Sequence, residues 1–149
     1  MTVEPGFKST VCMSSSDLLS IGQVARSAGI ATSAIRYYER RGLVTPTTRV
    51  SGQRRYTAAD LRKVVFIGML QDAGLTLDDI DGILNSESVR EWKAIARLRL
   101  AALKDEIARL THAHDLLDGA MLCRYDHPMN QCKIMGAEID RRLDVGRRI

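Results

Sequence analysis

Between Ser20 and Leu122 apolar residues recur at helical spacing, broken only by short polar stretches. Ile21, Val24, Ala25 and Ala28 make the first stripe. Ser20 precedes it as an N-cap, Gln23 stands at the capping-box position and Gly29 ends it. After Ile30 and Thr32 the pattern predicts a second helix over Ser33 to Arg41, closed by Gly42. From Leu43 to Tyr56 the helical period stops. Apolar and β-branched residues flank Pro46 and a Ser51-Gly52 turn, which predicts a two-stranded hairpin. Thr57 and Asp60 cap a third helix with Leu61, Val64, Val65, Ile67 and Leu70 on its inner stripe. Thr76 caps a fourth, with Asp78 and Asp79 in its first turn and Ile80, Ile83 and Leu84 facing the core.

The next helix is different in kind. Ser88 opens it, Glu91 occupies the capping-box position, and it is predicted to run to about Leu122, roughly 50 Å at 1.5 Å per residue. Ala96, Leu100, Leu103, Ile107, Leu110, His114, Leu117 and Met121 alternate four and three apart. That is a heptad seam, and so small a chain cannot bury it alone; dimerisation through it is the economical account. His114 on the seam reads as a packed interface histidine. Beyond the helix, Ile134, Ile139 and Leu143 share one face of a short tail, expected to pack over the preceding loop or a partner's hinge. The fold expected is mostly α-helical: a winged helix-turn-helix head, a small two-stranded wing and a long antiparallel coiled-coil dimerisation helix. Its parts are a disordered leader at 1–17, the head and hinge helices at 18–87, the dimer helix at 88–122, and an effector loop and tail at 123–149.

Charge adds a partner to this picture. The chain of 149 residues carries 22 Lys and Arg against 18 Asp and Glu, a net +4 that suits nucleic acid. The excess is local, with Arg36, Arg40, Arg41, Arg49, Arg54, Arg55, Arg62 and Lys63 crowded together. On the second helix, Thr32, Ser33, Arg36, Tyr37 and Arg40 combine hydroxyls near the positive helix end with cations and a phenol. Hydroxyls suit phosphate oxygens there, and an arginine can fork onto a guanine edge or a phosphate. Arg49, Arg54 and Arg55 would crown the hairpin, with Tyr56 anchoring its return. Double-stranded DNA is the expected partner. No apolar run spans a membrane and no signal pattern opens the chain, so a cytoplasmic protein is expected. No Gly-rich phosphate loop or oriented acid accompanies the Cys and His residues, which argues against an enzyme. Cys12, in the leader, reads as incidental.

The segments Ser20-Ile-Gly-Gln-Val-Ala25, Ile35-Arg-Tyr-Tyr-Glu39, Gly42-Leu-Val44, Arg54-Arg-Tyr-Thr57 and Asp60-Leu61 together resemble the N-terminal half of the MerR family of transcription regulators. The resemblance implies a homodimeric activator on palindromic promoter DNA, meeting RNA polymerase through that promoter. Carried over by position, it makes Thr32, Ser33, Arg36 and Tyr37 groove and phosphate contacts. Arg54 and Tyr56 become phosphate contacts of the wing, joined by Arg49 and Arg55.

One stretch remains, Cys123 to Cys132, two thiols bracketing a polar loop that contains Asp126, His127 and Pro128. Two thiolates alone favour a soft ion such as copper(I) or silver(I), whereas recruiting His127 or Asp126 moves preference toward tetrahedral zinc. The loop is similar to that of copper-sensing members of the family, with Ser88 standing where mercury and divalent-ion sensors have a cysteine. It departs from them in carrying Lys133 after the second cysteine. Glu91-Trp-Lys93 and Asp118-Gly119 resemble the SoxR-type branch, but Ala120 and Tyr125 stand at two of its cysteine positions, so no iron–sulfur cluster is expected. The expected effector is a metal ion, copper(I)-like or zinc, at Cys123 and Cys132 with His127 as a candidate third ligand. Thiol sensing of oxidants or electrophiles is the alternative. A coiled-coil adaptor without DNA binding is the remaining one.

Overall fold

The computed structural model describes residues 17–148; Cys12 and nearly all of the expected leader lie outside the described residues. The described order is β1 (Leu19–Ser20), α1 (Ile21–Ala28), α2 (Thr32–Arg40), β2 (Thr48–Val50), β3 (Gln53–Tyr56), α3 (Ala58–Asp72), α4 (Leu77–Leu84), α5 (Val89–Ala120), α6 (Pro128–Gln131) and α7 (Lys133–Gly146). The chain divides into two compact units, one ending at Trp92 and the other beginning at Lys93.

The first unit is held in register by three reciprocal caps. Ser20 with Gln23, Thr57 with Asp60 and Thr76 with Asp79 each exchange side-chain and backbone hydrogen bonds at the starts of α1, α3 and α4. Each pair satisfies amides that a helix start leaves unpaired. Gly29 takes the left-handed conformation, φ 69°, and ends α1. Helix α2 begins at Thr32, one residue earlier than its pattern predicts, behind Ala31, which offers no side-chain cap. Inside lie Val24, Ile35, Tyr38, Leu43, Val44, Tyr56, Val64, Ile67 and Ile80. Val65, expected on the inner stripe of α3, is exposed.

The wing has three strands rather than two. Antiparallel order is β1-β3-β2, with Leu19 opposite Tyr56, Ser20 opposite Arg55, and Arg49 opposite Arg54. The extra strand follows from the cap itself: Ser20 must be extended to cap α1, at φ −75° and ψ 163°, and that conformation also pairs with β3. Ser51 and Gly52 both have positive φ, 51° and 75°, the turn a two-residue hairpin needs for its twist.

In the second unit α5 ends at Ala120, two residues before its expected end, and Met121 and Leu122 form a turn. The start of α7 packs on that end. A Cβ on Gly119 would come within 2.9 Å of Ile134 Cδ1, so a glycine permits the approach. Leu100, Ile107, Leu110, Leu117 and Met121 of the seam stand between 52% and 76% exposed. No helix of the described residues is long and apolar enough to cross a membrane.

A seam of this length needs a second apolar surface. Replacing Ile107 and Leu110 with Glu removes about 1.5–3 kcal/mol of burial per side chain and places charge at the contact. Light scattering should then report the mass of one chain where the wild type gives two. A variant that keeps the doubled mass would contradict dimerisation through this seam.

Candidate nucleic-acid interface and cysteine loop

Helix α2 presents Ser33, Arg36, Tyr37 and Arg40 to solvent, with Thr32 half-buried at its start. The Arg40 guanidinium lies over the Tyr37 ring, 5.6 Å from its centroid. Arg41 donates to the Tyr37 hydroxyl at 3.3 Å and pairs with Asp78 in the first turn of α4. The phenol is therefore oriented from one side, with its own proton left to donate outward.

On the wing, Arg49 is exposed, and Arg54 and Arg55 are half-buried. Arg49 and Arg54 face each other across β2 and β3, a like-charge pairing that a polyanion would relieve. Arg55 reaches the Arg54 carbonyl and Gln53 Oε1, both at 3.4 Å. Tyr56 corrects the sequence expectation. It is fully buried, and its hydroxyl donates to Glu39 instead of lying open to a phosphate. Burial, helped by the carboxylate it donates to, holds its proton far above the usual phenol range. Glu39 also takes Arg54, whose Nε lies 2.8 Å from Oε2 as an ion-pair contact without an aligned hydrogen bond. Sequence reasoning passed over Glu39. Its one signal was an acid in the last turn of a helix surrounded by arginines.

In the second unit the two loop thiols meet. Cys123 follows the end of α5, and Cys132 forms the extended residue ahead of α7, nearly buried. The Met135 amide draws the Cys132 thiol below its usual value, with the Ile134 amide and the Cys123 side chain adding to it against burial. A thiolate at a helix start is stabilised by just such amides. Both cysteines are free and line an open cavity of about 550 Å³ with Gly119, Leu122, Tyr125 and Ile134 among its walls. His127 is not brought to them. It is exposed ahead of α6, and among the described residues no three His, Cys, Asp or Glu side chains gather to hold a metal ion. Proline at the start of α6 sends the loop into a short helix that carries residues 128–131 between the two.

Comparison with known proteins places these parts. A family description, "MerR HTH family regulatory protein", matches residues 19–87, and a second, "MerR, DNA binding", matches residues 61–120. The HTH-type transcriptional activator SoxR homolog of Chromobacterium violaceum is 32% identical over 111 residues, covering 70% of this chain and 75% of the relative. The chain belongs to the MerR family. It is thus a DNA-binding transcription regulator and not an enzyme, which sets aside the adaptor reading. Another relative, a probable heavy metal-dependent transcriptional regulator of Haemophilus influenzae, is 32% identical over 114 residues, 68% of this chain and 89% of its own. Among solved structures, a MerR family regulator lacking the sensor domain and bound to promoter DNA superposes with a TM-score of 0.57. It is 25% identical and covers 70% of this chain and 84% of that one.

In this MerR-family chain, Glu138 of α7 is held by Arg141 at 2.7 and 2.8 Å, Arg142 at 2.7 Å and His112 of α5 at 3.4 Å. Those partners, Arg141 foremost, hold its carboxyl far below the usual carboxylate range. A depressed acid stabilises the fold fully above its unfolded value, near 4.5, and loses that contribution as pH falls toward the folded value. The melting temperature of Glu138→Gln should therefore lie below wild type at neutral pH, with the gap closing only in strong acid. A gap independent of pH would contradict this ion-pair account.

Proposed function

We propose that this MerR-family regulator works as a homodimer on promoter DNA and is switched by a soft metal ion bound through Cys123 and Cys132. The supporting observation is the pair itself: two free thiols on one cavity, one already biased toward thiolate, with no third His, Cys, Asp or Glu ligand gathered beside them among the described residues. Such a donor set suits copper(I)-like chemistry better than zinc, which takes four ligands in closed sites. Heavy-metal dependence in the name of the Haemophilus influenzae relative agrees with that class of effector.

DNA binding is carried by the α2 face and the wing. Thr32, Ser33, Arg36 and Tyr37 supply groove and phosphate contacts, while Arg49, Arg54 and Arg55 supply wing contacts to the backbone. In the activating form, ion binding fixes the loop between Cys123 and Cys132 and changes the angle between the two DNA-reading heads of the dimer. The promoter is thereby distorted so that RNA polymerase engages both its elements. For this the ion must bind the activating form more tightly than the resting one. The lowered Cys132 thiol also favours a second reading, in which an oxidant or electrophile acts on the same pair.

Metal content and competitive affinity of the reduced protein test the proposal. Wild type should take up one copper(I) per thiol pair with high affinity, and Cys123→Ser and Cys132→Ser should each abolish it. Retention of tight binding by the double variant would overturn the assignment. Absence of thiolate-dependent binding for every ion tried would pass the site to the oxidant reading.

A further inference from the structure

We infer that Glu39 is a positioning residue for DNA binding, a carboxylate that fixes the wing against the recognition helix so that both meet one duplex. The inference rests on the assignment of α2 and the wing as the DNA-reading surface. Glu39 sits in the last turn of α2, where the negative end of the helix disfavours an anion. Its neighbours are Arg36 and Arg40 on that helix and Arg41 at its C-cap, and a polyanion would be better served without it. Yet its side chain is only 12% exposed and is fully engaged with the wing.

Both engagements go to one strand. Tyr56 donates its hydroxyl to one carboxylate oxygen, and Arg54 lies 2.8 Å from the other. Residues two apart on a strand share a face, so a single acid grips β3 twice from α2. Through β3 the grip extends in both directions. Tyr56 is opposite Leu19 of β1, and Arg54 is opposite Arg49 of β2, the exposed arginine of the wing. Losing the acid would leave the half-buried Arg54 beside Arg49 without its counter-charge, and the two cations would push the hairpin away from its present place.

Two accounts of Glu39 predict opposite signs. If it is only a negative charge near phosphates, removing it strengthens DNA binding and steepens its salt dependence. If it positions the wing, removing it weakens binding although the protein becomes more basic. The experiment is fluorescence anisotropy of the full chain on a mixed-sequence DNA duplex across a salt series. Glu39→Gln should bind about tenfold more weakly, with a shallower salt slope by about one for each lost phosphate contact. Arg49→Ala should cost a similar factor in wild type and little more in the Glu39→Gln background. Tyr56→Phe, which keeps the ring in place and removes one arm of the grip, should move affinity in the same direction. This variant carries the test if the carboxylate variant melts below the assay temperature. Tighter or unchanged binding by Glu39→Gln or, where that variant melts, by Tyr56→Phe would overturn the inference. So would fully additive losses with Arg49→Ala. A wild-type protein without salt-dependent duplex binding would remove the DNA-reading assignment itself, a different failure visible before any variant is compared.

Discussion

A 32-residue helix that leaves Leu100, Ile107, Leu110 and Leu117 largely in water is the constraint the molecule is built around. Burial of those side chains is the dominant favourable term open to it, and the described residues of one chain leave them uncovered. A second copy supplies one of matching period. Duplication by a twofold axis would then present two DNA-reading heads and two cysteine loops, an arrangement that matches a site with the same symmetry.

The head solves a separate electrostatic problem. A surface that binds phosphates must concentrate arginines, and concentrated arginines repel one another before DNA arrives. Two of the repulsions here are offset by acids from elsewhere in the fold. Asp78 of α4 meets Arg41, and Glu39 of α2 meets Arg54. Those acids also tie elements together, linking the end of α2 to α4 and to the wing. Arg36, Arg40 and Arg49 stay exposed on the face that would meet DNA.

What could be read from the sequence was what depends on residues three or four apart. The Ser20, Thr57 and Thr76 caps, the Gly29 stop, the Ser51-Gly52 turn and the α5 seam are all of that kind. Long-range pairings escaped. The third strand joins Leu19 to Tyr56 across thirty-odd residues and is only two residues long, too short for any periodic signal. Tyr56 was legible as the anchor of the hairpin's return, but not as a donor to an acid one helix away. The spacing of Cys123 and Cys132 announced a thiol pair without fixing the path of the loop. A proline-started turn of helix decided that His127 stays outside, and α7 supplied the amides that lower the Cys132 thiol.

The most direct test of the account is in-vitro transcription from a promoter carrying the duplex site that the protein itself selects from a random pool. Wild type, Cys123→Ser and Cys132→Ser would be compared with and without copper(I). Ion-dependent transcript is expected from wild type and none from either variant, while all three bind the site with similar affinity. Equal ion-dependent activation by the serine variants would contradict it, because the effector would then act somewhere other than the thiol pair.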